Sequence, residues 1–202
     1  MPAARESLLD AAFTALADRP WTVVRMVDVA LAAGVSRQTL YNEFGSKDGL
    51  ARALVRREAE AYLTGVERAL SGASGAVGPN ERLAAAAGWT VRAAAANPLV
   101  RAVLTGCWDE RLPSPQRTGI GVGSGPAPSA RRPGVPDPLP SPVELLGEIR
   151  DRAVRLLAGD WPQGGAADLS KACETAARLA LSCVVAPVSE EEVESLVRGA
   201  LA

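Results

Sequence analysis

Histidine is absent from this chain of 202 residues. The commonest metal ligand and the commonest general base are therefore missing. No nucleophile motif and no recognisable pair of carboxylates takes their place, so hydrolytic or metal-dependent chemistry has nothing to stand on. An enzyme is not expected, nor is a cofactor. Cysteine is scarce: Cys107, Cys173 and Cys183 make an odd number with no framework spacing, which argues against a disulfide-held secreted scaffold. No two of them have CxxC spacing, and apolar neighbours favour inert packing over redox sensing. Phe, Tyr and Trp make up only 4% of the residues although 48% are hydrophobic, because alanine, valine and leucine dominate. That composition favours tightly packed helices, and no run of alternating β-branched residues suggests a strand. No apolar stretch approaches the length of a membrane span, and the N-terminus has no continuous hydrophobic core before a cleavage site. A cytoplasmic location is the corresponding expectation.

The organising stretch is Arg25 to Leu50, RMVDVALAAGVSRQTLYNEFGSKDGL. A short helix is expected from Met26 to Ala33, with Val29, Ala30 and Ala33 facing inward. Gly34 ends it, as a residue free to adopt a left-handed backbone does. Val35 is expected as a buried plug. Ser36 stands at an N-cap position, where its hydroxyl can accept a free backbone N–H. A second helix follows from Arg37 to Phe44. Leu40 and Phe44 face the core and leave Arg37, Gln38, Thr39 and Asn42 outside. Gly45 and Ser46 close that helix and cap another. This is the layout of a helix-turn-helix, whose second helix enters the major groove of DNA. A pair of ordinary small helices with a polar solvent face is the plainer alternative.

Net charge is −1, which does not advertise nucleic-acid binding. Between residues 25 and 57, however, Arg25, Arg37, Lys47, Arg52, Arg56 and Arg57 stand against only Asp28, Glu43 and Asp48. The local excess of positive charge lies where DNA contact is expected.

Ala33-Gly34-Val35-Ser36, Thr39-Leu40-Tyr41, Phe44, Lys47 and Leu50 match in order and spacing the DNA-binding signature of the TetR family of one-component bacterial regulators, which this segment resembles. Beyond residue 70 the resemblance is one of architecture. It implies an all-α fold: a helix-turn-helix domain over residues 1–46, then a helical effector-binding and dimerisation domain over residues 47–202. In this reading Arg37, Gln38 and Asn42 meet base edges, and Thr39, Tyr41 and Lys47 hold the phosphate backbone of double-stranded DNA. Arg5, in the leading arm, is either a further phosphate contact or a solvated charge. Family members usually carry a capping Thr where Arg25 stands and a polar residue where Val27 stands. Either Thr22 caps a helix one turn longer, or the cap is weak.

Along the rest of the chain, residues 4 to 17 form an amphipathic helix with Leu8, Leu9, Ala12, Phe13 and Leu16 inward. Trp21 is expected on the small core of the DNA-binding part. A long helix from Lys47 to Ala69 carries Leu50, Leu54, Tyr62, Val66 and Leu70. Residues 80–96 form a helix broken by Asn97-Pro98. A short helix follows, ending near Trp108. From Leu112 to Pro142 the chain holds nine prolines and five glycines and has no periodicity, so a long loop is expected. Its Gly119, Gly121, Gly123 and Gly125 do not match a phosphate-binding loop, and Arg131-Arg132 is either a solvated pair, the plainer reading, or a contact with DNA or an acidic surface. Residues 143–157 resume a helix with Leu146, Ile149, Ala153 and Leu156 on one side. A helix from Asp168, capped by Asp168 itself, runs to Val185, and a last one follows Ser189. By the resemblance these last two form a homodimer interface. The effector would be small and apolar or aromatic, with Trp89, Arg92, Cys107, Trp108, Arg111 and Cys173 as candidate contacts. The rival class is a helical scaffold that binds a partner through residues 112–142 without specific DNA recognition.

Overall fold

The computed structural model describes residues 2–72, 77–113, 139–161 and 165–202. The described residues form α-helices joined by turns. The Gly119–Gly125 alternation, the Arg131-Arg132 pair and most of the 112–142 segment lie outside them. By packing, the chain divides into two units, the first holding Met1–Leu54 with Asp109–Leu139 and the second Val55–Trp108 with Pro140–Ala202.

The first unit holds α1 (Pro2–Asp18), a 3₁₀ turn at Trp21–Val23, α2 (Met26–Ala32), α3 (Arg37–Phe44) and the opening turns of α4 (Lys47–Ser71). Helix α1 packs on α2 and α3. The core is small and aliphatic: Leu8, Leu9, Ala12, Val29, Ala30, Leu40, Leu50 and Leu54 are buried, with Trp21 and Phe44 as its aromatic members. Each buried leucine stabilises the fold by about 1.5–3 kcal/mol relative to an exposed one. Phe13 and Val35 are half-buried, so Val35 is a partial plug and not a sealed one. The α2 cap resolves as the weak form: Arg25 is the N-cap residue and makes no side-chain capping bond.

A distant segment completes this unit. The Asp109 carboxylate accepts the N–H groups of Arg111 at 2.7 Å and Leu112 at 3.1 Å, making a tight turn. That turn presents the Arg111 carbonyl to the Trp21 N–H, which donates to it at 2.7 Å.

The second unit contains the rest of α4 with α5 (Pro79–Ala96), α6 (Pro98–Thr105), α7 (Pro142–Leu157), α8 (Ala166–Val185) and α9 (Glu190–Ala200). Helix α5 packs against α6, α8 and α9, and α8 against α7. The starts are locally encoded. The Asn97 side chain accepts the N–H groups of Leu99 and Val100. Ser141 and Glu144 form a reciprocal capping box, and Ser189 accepts the Glu192 N–H. Arg82, only 6% exposed, ties three helices together. Its guanidinium donates to the Leu70 carbonyl near the end of α4, to the Leu156 carbonyl near the end of α7 at 3.2 Å, and to Asp160 at 2.6 Å. Cations are favoured where helix carbonyls run out.

Three expectations change here. Helix α6 stops at Thr105 because Gly106 takes φ +72°, so Cys107 lies beyond the helix and is exposed. Helix α7 buries Leu145, Ala153 and Leu157, leaves Leu146 and Ile149 half-buried, and turns Leu156 outward. Helix α8 starts at Ala166 behind Gly165, so Asp168 lies in its first turn and does not cap it.

Gly65 of α4 lies against the Trp89 indole, and a Cβ there would overlap the ring. The indole N–H donates to the Tyr62 carbonyl at 3.3 Å, which fixes the ring in place. Gly65→Ala ordinarily favours a helix by about 0.5–1 kcal/mol. Here it is expected to destabilise by about 1–3 kcal/mol through overpacking, with red-shifted tryptophan emission, both read from urea unfolding.

Candidate nucleic-acid interface

The turn between α2 and α3 is built by its backbone. Gly34 takes φ +67°, its N–H donates to Leu31, and the Val35 N–H returns to the Ala30 carbonyl at 3.0 Å. Ser36 is extended, and its hydroxyl accepts the Thr39 N–H at 3.0 Å while meeting the Thr39 hydroxyl at 2.9 Å. Thr39 is thus engaged in the cap and half-buried. Leu40 and Phe44 anchor α3 in the core, which turns Arg37, Gln38, Tyr41 and Asn42 outward. Tyr41 is 41% exposed, which rules out a buried core tyrosine.

Gln38 and Asn42, one turn apart, are joined by a hydrogen bond of 2.8 Å from the Gln38 amide nitrogen to the Asn42 oxygen. Such i, i+4 pairs hold both side chains to one face. The Gln38 oxygen and the Asn42 amino group remain at the two ends of the pair, an acceptor and a donor of the kind that read adenine edges.

At the far end of α3, Gly45 takes φ +70° and the Ser46 hydroxyl accepts the Gly49 N–H at 3.1 Å, capping α4. Lys47 is turned inward. Its ammonium donates to the Thr22 carbonyl at 3.2 Å and lies 5.4 Å from the centre of the Trp21 ring. Burial lowers its pKa, against the opposing charge of Asp48. Arg5 stacks over Phe44 at 4.9 Å and approaches Glu43. The groove between α1 and α2 carries Asp10, Asp18 and Asp28 and is unsuited to phosphate.

The candidate effector residues do not converge. Trp89 is half-buried against α4, and Arg92 is an exposed partner of Glu190 that lies 5.3 Å from the Trp89 ring. Cys107 is exposed, Trp108 is half-buried, and Arg111 belongs to the first unit. Of the six, Cys173 lines a cavity of about 20 Å³ among α4, α5, α7 and α8. Burial pushes its thiol up to about 11. A neighbouring cavity of about 10 Å³ is reached by Tyr62, Leu146 and Leu181, and Thr90, Ile149 and Ala177 line both. Thr90, which the periodicity does not single out, is the polar residue at their junction. Among the described residues no cluster of three or more His, Cys, Asp or Glu could hold a metal, and no helix is long and apolar enough to cross a membrane.

Removing the α3 cap with Ser36→Ala is expected to cost about 1 kcal/mol, measured by chemical denaturation. Thiol reactivity should follow burial: a maleimide is expected to label Cys107 in the native protein, and Cys173 and Cys183 only after unfolding. Native labelling of all three at equal rates would contradict the packing.

Residues 8–54 match the family model for bacterial regulatory proteins of the tetR family. The HTH-type transcriptional regulator AlkX of Mycobacterium tuberculosis is 47% identical over 66 residues, a region covering 33% of this chain and 31% of that protein. The matched region therefore spans about a third of the length of that relative. Among solved structures, a TetR/AcrR-family regulator from Thermobifida fusca shares the fold with a TM-score of 0.60 at 16% identity, covering 98% of this chain and 95% of that one. The TetR-family repressor AlkX from a Dietzia strain, described as implicated in biodegradation of n-alkanes, aligns with a TM-score of 0.50 at 23% identity over 98% of this chain and 90% of that one. Residues 8–54, which hold the helix-turn-helix, are thus the part of the chain that matches the tetR family of bacterial regulatory proteins.

Proposed function

We propose that the protein is a ligand-responsive repressor that binds a palindromic operator in double-stranded DNA as a homodimer and is released by a small apolar effector. The observation that carries this reading is the outward face of α3, where Gln38 and Asn42 are held together beside Arg37 on a helix fixed by the Ser36 cap. Arg37, Gln38 and Asn42 are assigned to base edges, Arg37 to guanine and the amide pair to adenine. Tyr41 and Thr39 hold the backbone. Lys47 serves mainly to position α4: one of its three protons goes to Thr22, and the others can meet a phosphate.

Dimerisation is assigned to α8 and α9. Val193 and Val197 bury one face of α9 within the unit, while Val185 of α8 stays 63% exposed and Leu196 of α9 48% exposed. A two-fold interface would pair these patches and set two α3 helices against successive half-sites. The effector would enter the apolar interior of the second unit, where Cys173, of the expected contact set, lines a cavity. Release follows when the effector favours a spacing of the α3 helices that DNA does not, since ligand and DNA then bias one equilibrium in opposite directions.

The test is selection of genomic fragments by the full-length protein, then fluorescence anisotropy with competitor DNA. A saturable signal at a palindrome is expected, with two chains per site. Gln38→Ala is expected to weaken the operator by about 1–3 kcal/mol and leave random DNA nearly unchanged. Tyr41→Phe should weaken both alike. Equal losses on both sequences for Gln38→Ala would remove it as a base reader, and no selected fragment at all would overturn the reading.

A further inference from the structure

We infer that the effector is an unbranched, uncharged aliphatic chain with a single hydrogen-bonding end, lying along α7 with that end at the Tyr62–Thr90 hydroxyl pair. This rests on reading the second unit as the effector-binding part.

The first argument is the order of the lining. Going from the larger cavity to the smaller, the contacts on α4 shift from Leu70 and Val66 to Tyr62, and those on α7 from Ala153 to Leu146 and Pro142. The two cavities are therefore successive along the helices, with Thr90, Ile149 and Ala177 as the waist between them. From Tyr62 to Leu70, α4 rises about 12 Å at its regular pitch, the length of roughly ten carbons in an extended chain that starts at the hydroxyl pair.

The second argument is chemical. No ionised side chain lines either cavity. Tyr62 and Thr90 are buried, and their hydroxyls lie 3.1 Å apart. The Thr90 hydroxyl donates to the Ala86 carbonyl at 2.8 Å, so the Tyr62 hydroxyl is the donor between them. The Tyr62 oxygen keeps room to accept from a ligand hydroxyl, and it can turn its proton to a ligand carbonyl. A carboxylate here would lose its hydration and gain no cation. The nearby buried cation, Arg82, is already bonded to Leu70, Leu156 and Asp160.

The third argument is width. Cavities of about 20 and 10 Å³ hold little more than a water each. A ligand must part the helices, and half the lining of the larger cavity is alanine: Ala86, Ala87, Ala153, Ala176, Ala177 and Ala180, beside Val66, Leu70, Leu83 and Ile149. A methylene chain asks for the smallest separation per unit of apolar surface buried, whereas a ring or branched chain asks for more.

The experiment uses the full chain, with binding read from the thermal midpoint and tryptophan emission, since Trp89 is bonded to the Tyr62 carbonyl. The probes are straight-chain 1-alkanols from butanol to tetradecanol, kept below their solubility limits, with n-dodecane, a branched twelve-carbon alcohol and dodecanoate as comparisons. Affinity should rise with length to about ten carbons and then level off or fall. Dodecanoate and the branched alcohol should bind at least tenfold more weakly than dodecanol. Thr90→Val should reduce the preference for dodecanol over dodecane about tenfold. Ala177→Leu should abolish binding in a folded protein, and Ile149→Phe serves as the second blocking variant should that one not fold. The inference is overturned by dodecanoate binding as tightly as dodecanol, by no dependence on length, by full binding in both blocked variants, or by no binding of any chain. Operator binding measured on the same preparation separates the two readings. A selected palindrome without alkanol binding overturns the effector class alone, and alkanol binding without any selected DNA overturns the regulator.

Discussion

The second unit depends on how near other helices come to α5. That approach requires small side chains at the crossings. On the α4 side, Gly65 leaves the space in which the Trp89 ring lies flat. On the α9 side, a Cβ at Gly88 would stand 2.7 Å from the Glu194 carboxylate and 3.0 Å from the Glu190 side chain. Alanine takes over at Ala84, Ala87 and Ala94, all buried. Close packing of this kind gains dispersion contacts at every crossing but tolerates little added volume. It also explains the low aromatic content: a core of closely spaced helices has few gaps that a ring would fill.

The proposed entry of an effector asks such closely spaced helices to part, and the alanines of the larger cavity bear on whether they can. An alanine-lined seam interlocks less than a leucine-lined one, so helices can part there without extracting long side chains from fitted holes. Polar contacts fix the helices both along their length, as between Tyr62 and Thr90, and at their ends. Arg82 gathers the ends of α4 and α7, and Asn97, at the α5–α6 corner, donates to Glu58 of α4 at 2.7 Å.

The helix-turn-helix was legible because its signals act over three or four residues. Ser36 before Thr39, Gly34 after Ala33, and Leu40 with Phe44 each state a local requirement that no distant contact can change. The phase of α7 was not legible. Leucine doublets at 145–146 and 156–157 satisfy two stripes equally, and only the neighbouring helices decide between them. Lys47 illustrates the same limit. A lysine beside a helix start resembles a phosphate anchor, yet a tryptophan and a free carbonyl 25 residues earlier draw its ammonium inward. The end of α6 carried a usable signal in Gly106, which a reading by apolar spacing alone passed over. The cavity lining draws single residues from several helices, so no short window of sequence contains it.

The bond from the Trp21 amide to the Arg111 carbonyl bears on how such a chain can change over time. Because the acceptor is main chain, the side chain at position 111 is free to drift. The Asp109 carboxylate, which holds the turn that presents that carbonyl, is not. Residues 1–54 exchanged between relatives at the boundary in α4 would leave this acceptor behind and meet another one shaped for a different partner. Recombination at that boundary is therefore handicapped, and change on the outward face of α3 would arise more readily by substitution than by transplanting the whole segment.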